Sequence, residues 1–181
     1  MNPFAAIGAV IISANPLFSV ATGNEEHDVL LDSLRNAGVR VVVNHHYGCS
    51  EPGINGLYAS GNQLIVICQD NAEPGDPEVE WTPNDLNTLR HEAQHVLQDC
   101  LGDDLGDGVF RLASGDTEGL MNFLDEIGMP ESTRDKIIEL YIINGANWPE
   151  VQIELEAFGV AATVPPNVLA SEIDTACAPE F

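Results

Sequence analysis

His91 and His95 stand four residues apart, with Glu92, Ala93 and Gln94 between them. On a helix this spacing sends both imidazoles from one face, a single turn apart. Two imidazoles so placed can bind one Zn²⁺ through their ring nitrogens, and a glutamate beside the first can take a proton from water on such an ion. With 5 histidines in 181 residues, the pattern His-Glu-x-x-His arises by chance in about 1 of 100 such chains.

The chemistry needs a helix at 83–101, and the sequence supplies its signals. Thr82 is suited to the N-cap, Pro83 to the first helical position and Asp85 to a capping box, while Gly102 lies just past the end. At about 100° per residue, Leu86, Leu89, Ala93, Val96 and Leu97 form one apolar stripe. His91 and His95 fall opposite it, joined by Gln98. One face can therefore pack on a core while the other holds an ion.

Other elements bracket this helix. Residues 24–37 read as a helix capped by Asn24 and stopped at Gly38, and Val39 to Val43 as a strand. Residues 57–60 and 63–68 read as a hairpin around Gly61-Asn62, the second arm buried on both faces. Helices are expected at 115–127, 131–144 and 149–162, bounded by Gly, Pro or Asn signals. The order predicts an α+β fold: a small sheet at 39–68, the motif helix at 83–101 and a helical lobe at 115–162, all within one domain spanning 24–162. Residues 1–23 read as an apolar arm able to dock on an assembly partner, and 163–181 as a tail packed on the surface.

Composition narrows the function classes. A net charge of −23 repels nucleic acids and anionic lipid. The apolar run from Phe4 to Ala14 is too short to span a bilayer. Four cysteines without a CxxC pair fit two disulfides in an oxidising compartment, or four reduced buried thiols. Cys49 with Cys68 and Cys68 with Cys100 are both plausible pairs. An extracellular, periplasmic or virion-associated protein is favoured over a cytoplasmic one.

The run from Arg90 to Gln98 resembles the active helix of the zincin zinc metallopeptidases. The order of strands, motif helix and helical half is similar across most of 39–162, although only the motif helix is specific. The resemblance implies that His91 and His95 bind Zn²⁺ and that Glu92 is the general base acting on a metal-bound water. The metzincin branch is excluded: it requires glycine at position 98 and histidine at 101, where this chain has Gln98 and Leu101. The gluzincin branch takes its third ligand from a later helix, in a pattern ExxA followed by Asp or Asn. Glu154-Leu155-Glu156-Ala157-Phe158 is similar, with Glu154 as that ligand and Phe158 as the departure. The acid absent at 158 orients a histidine in many relatives, so Asp99 or Asp174 would have to do that work.

Helix geometry also favours Glu154. With Val151, Leu155, Phe158 and Ala162 as the buried stripe, Glu154 lies about 60° from its centre and Glu156 about 140°. Glu156 and Glu118 are the alternatives. Further candidates are His45 and His46 for a second metal, the loop 103–108 for Ca²⁺, and Tyr47, Tyr58 or Tyr141 as donors to an oxyanion. Ordinary exposed histidines, a solvated turn and packing are the simpler readings of these.

Two functions compete. One is a zinc metallopeptidase hydrolysing a peptide or protein substrate, which could lie along the hairpin's free strand edge. The other is a non-catalytic structural or interaction protein on a zincin-like scaffold. The arrangement of Cys49, Tyr58, Cys68, the motif, Gln98 and Cys100 loosely resembles small zincin-like proteins of bacteria and their phages, which would make a virion component one form of that second reading.

Overall fold

The computed structural model describes residues 20–102 and 104–178. Most of the apolar arm at 1–23 thus lies outside the described residues. Its end is visible: the Val20 carbonyl accepts from the Arg35 guanidinium, and Val20 packs on the core.

The fold is α+β, in the order α1 (Glu25–Asn36), β1 (Arg40–Val43), β2 (Gly56–Ala59), β3 (Leu64–Ile67), α2 (Pro83–Cys100), α3 (Thr117–Glu126), α4 (Glu131–Ile143), α5 (Trp148–Thr163) and α6 (Pro166–Ala176). In the sheet, β3 lies between β1, which it joins in parallel, and β2, which it joins antiparallel. All four residues of β3 are buried, as a continuous apolar run in a central strand should be. The hairpin turns through a 3₁₀ segment at Ser60–Asn62, and the left-handed residue is Gln63 rather than Gly61 or Asn62.

The motif helix starts as its capping signals require. The Thr82 hydroxyl accepts from the Asp85 N–H, and the Asp85 carboxylate accepts from the Thr82 N–H. Its apolar stripe of Leu89, Ala93, Val96 and Leu97 is buried against Leu30, Leu31 and Leu34 of α1, Ile65 and Ile67 of β3, and Leu169 and Ile173 of α6. A second cluster, from Leu120 and Leu124 of α3, Ile137 of α4, and Val151 and Leu155 of α5, forms the helical lobe.

Two expectations are corrected. The segment from 163 onward is not a surface tail. Pro166 opens a helix whose Leu169, Ala170 and Ile173 are buried, and Cys100–Cys177 ties its end to α2. That apolar triplet at i, i+1 and i+4 is short, and the prolines before it masked its helical period. The α5 stripe was also too narrow. Ala162 is exposed, whereas Ala161, Ala157 and Glu156 are buried, because α5 packs on α2 along one side and on α3 and α4 along another.

The cysteines form two disulfides, Cys49–Cys68 and Cys100–Cys177. The alternative pair Cys68–Cys100 does not form. Two disulfides fit an oxidising, extracellular setting. No described helix is long and apolar enough to cross a membrane.

Candidate metal centre

The seam between α2 and α5 brings together residues 63 positions apart. His91 and His95 leave α2 toward α5, their rings edge-on at 4.8 Å. Glu154 comes from the second turn of α5, which a capping box of Asn147 and Glu150 starts in register. The three side chains are 13 %, 10 % and 5 % exposed, so their charges have little water to share.

Their ligand atoms form a nearly equilateral triangle. His91 Nε2 lies 3.2 Å from His95 Nε2 and 3.2 Å from Glu154 Oε2, and His95 Nε2 lies 3.5 Å from Glu154 Oε2. Tetrahedral bonds of zinc length span edges of about 3.3 Å between ligand atoms. The triangle therefore matches one face of a tetrahedron around a single ion. Among the described residues, this is the one group of three or more His, Cys, Asp or Glu that could hold a metal ion.

The electrostatics agree with a site built for a cation. Burial pushes the Glu154 carboxyl up, but His95 and His91 outweigh it and hold the group well below the usual carboxylate range. Burial pushes the His95 imidazole down, and the Glu154 carboxylate reverses this to about 9. Glu92 is buried beside them, and burial raises its carboxyl despite the two histidines. Gly56 lets the chain approach it closely: a Cβ there would stand 2.5 Å from Thr88 Cγ2 and 3.1 Å from Glu92 Oε1. The glycine lets the edge strand β2 ride directly on the motif helix.

The other sequence candidates separate clearly. Glu118 is exposed in the first turn of α3. Glu156 is buried, but its carboxylate faces N–H donors, not the ion site: Gln94 Nε2 at 3.1 Å, Gln98 Nε2 at 2.9 Å, Ala113 N at 2.9 Å and Ser114 N at 2.8 Å. Asp99 does not orient a histidine; it accepts from the Tyr58 hydroxyl at 2.7 Å and the Gly106 N–H at 2.8 Å. Asp174 is exposed on α6. His45 accepts from the Gly48 N–H, and His46 lies by the Pro74 carbonyl. In the 103–108 loop, Asp107 caps the Asp104 and Val109 N–H groups, as a turn would.

Of the three tyrosines, the fold brings Tyr141 to the centre. Its phenol is pushed up by burial first and then by the nearby negative charge of Glu154. Tyr47 is 70 % exposed on the loop after β1, and the Tyr58 hydroxyl turns to Asp99.

Sequence reasoning missed the groups that surround the histidines. Gln98 Oε1 lies 2.8 Å from His95 Nδ1. Its place on the histidine face was visible from the helical angle, but its partner was not. Phe158, where an acid would serve as an acceptor, instead packs its ring 4.5 Å from that of His91. Among the described residues no acceptor reaches His91 Nδ1. Phe110 stands edge-on to both His95 and Tyr58. No family model matches this chain, and neither the curated proteins nor the solved structures contain a match to it.

Proposed function

We propose that this protein is a zinc-dependent metallopeptidase of gluzincin type, with His91, His95 and Glu154 as ligands and Glu92 as general base. The single observation that carries the reading is the 3.2, 3.2 and 3.5 Å triangle of ligand atoms with a buried carboxyl one residue from His91. A purely structural zinc site has no need of that carboxyl.

Zn²⁺ at this centre would supply Lewis acidity, polarising the scissile carbonyl and sharing the charge that develops on its oxygen. The chain's own groups do the rest. Glu92, buried beside the histidines, takes a proton from the attacking water and later gives it to the leaving amine. Burial raises its carboxyl, which brings its basicity closer to neutral pH and suits both halves of that task. The two histidines keep Glu154 oriented. The net charge of −23 favours basic or neutral peptides over acidic ones.

The second reading, a non-catalytic scaffold such as a virion component, is favoured by Phe158 beside a His91 Nδ1 that lacks a protein acceptor. Metal analysis of the purified protein, with cleavage of a general protein substrate by wild type and Glu92→Gln, separates the two. Stoichiometric zinc with Glu92-dependent cleavage supports the peptidase. Zinc without cleavage supports the scaffold. Zinc absent even after reconstitution defeats the peptidase and, with the chain found in an assembled particle, supports the scaffold.

A further inference from the structure

Glu156 lies two residues from a proposed ligand, touches none of the ligands, and is 1 % exposed. Its carboxylate oxygens accept four hydrogen bonds, from two side chains of α2 and two backbone N–H groups of the segment leading into α3. We infer that Glu156 is a positioning residue for the metal centre, acting through Gln98 to fix which nitrogen of His95 faces the ion. The inference rests on the metal reading above and deepens it.

A carboxylate and a backbone carbonyl can only accept. One end of the Gln98 amide faces both Glu156 Oε2, at 2.9 Å, and the Ile153 carbonyl, at 3.0 Å. That end must be the NH₂ group. The opposite end is therefore the oxygen, and it faces His95 Nδ1 at 2.8 Å. An oxygen there requires Nδ1 to carry a hydrogen, so that in the neutral imidazole an ion would bind, the Nε2 lone pair is the one on the side of Glu154 and His91. A flipped amide would present NH₂ to Nδ1, move the hydrogen to Nε2 and block the ligand atom.

Glu156 also holds the wall beside the site. Its bonds to the Ala113 and Ser114 N–H groups, with the Arg111 N–H on the Gln98 carbonyl, dock the segment that carries Phe110 against His95. Among the described residues His91 Nδ1 has no such partner, so this control of imidazole orientation acts at His95 and not at His91.

The test is a double-variant cycle read in two ways. Zn²⁺ affinity is measured by chelator competition for wild type, Gln98→Met, Glu156→Leu and the double variant. In parallel, ¹⁵N–¹H spectra follow the His95 Nδ1 proton in the metal-free and zinc-loaded proteins. Each single variant is expected to weaken Zn²⁺ binding by about 10- to 100-fold and to lose a slowly exchanging Nδ1 proton. The double variant is expected to bind as Gln98→Met alone does, since Glu156 acts through Gln98. Losses that multiply, or an Nδ1 proton that stays protected in Glu156→Leu, overturn the inference. Should Glu156→Leu fail to fold, Glu156→Gln takes its place; a loss of the same sign must then vanish in the Gln98→Met background, and its persistence there overturns the inference. If wild type takes up no Zn²⁺, the metal reading fails while the Nδ1 proton still reports on the relay.

Discussion

Glu154 and Glu156 sit two residues apart on one helix, both buried, in surroundings of opposite kind. Glu154 faces two imidazole nitrogens and a phenol. Glu156 faces four N–H donors from α2 and the chain entering α3. A carboxylate ringed by N–H groups is already satisfied, and a cation would have to displace those donors. A carboxylate facing imidazole nitrogens, which can give up a proton and become ligands, can share a cation with them. The number of nearby acids does not distinguish a ligand from a structural anchor; whether the groups facing them can themselves bind an ion does.

Substitutions around the two carboxylates should separate their roles. The largest expected effect is on catalysis beside the Glu154 pole. Glu92→Gln should lower kcat by about 10²- to 10⁴-fold with Zn²⁺ affinity unchanged, read by peptide cleavage alongside metal titration; loss of zinc instead would make Glu92 part of the binding set. Next, Glu154→Gln should weaken Zn²⁺ binding by more than about 100-fold, more than any substitution at Glu156. Equal losses at the two positions would erase the distinction.

The third effect lies at the other pole. Glu156→Leu strands several buried donors and should cost about 2 kcal/mol of stability in a chelator, and more in zinc because the variant also binds the ion less tightly, as measured by urea unfolding. The last is a pH effect on the metal-free protein. His95 is raised to about 9 in the fold, so its contribution is complete below its unfolded value near 6.5 and is lost as pH climbs through 9. Metal-free stability should fall steadily over that interval, as measured by urea unfolding at a series of pH values. Glu154 is lowered, so its contribution is present above the ordinary carboxylate range and lost at more acid pH. Saturating zinc should remove the alkaline decline, because the ion binds the deprotonated imidazole. A decline that persists in zinc would place His95 outside the ligand set.

Much of this was readable without coordinates because it is local. The capping box at Thr82, the spacing of His91 and His95, and the strand run from Leu64 to Ile67 depend on neighbours within a turn or a strand, where periodicity and propensity act directly. Features set by two elements at once were not readable. The helical angle assumed one buried face on α5, yet that helix has two packed sides, which is why Glu156 is buried and Ala162 exposed.

By itself the chain determined a motif helix with two imidazoles on one face, a buried central strand and a strong negative charge. Tertiary packing alone decided that Glu154 completes the triangle, that Gln98 rather than Asp99 orients His95, and that Cys100 pairs with Cys177. The reason is physical. Hydrogen-bond and ion-pair partners are chosen by distances of about 3 Å, and only the docking of α5 and α6 on α2 sets those distances between residues so far apart in sequence.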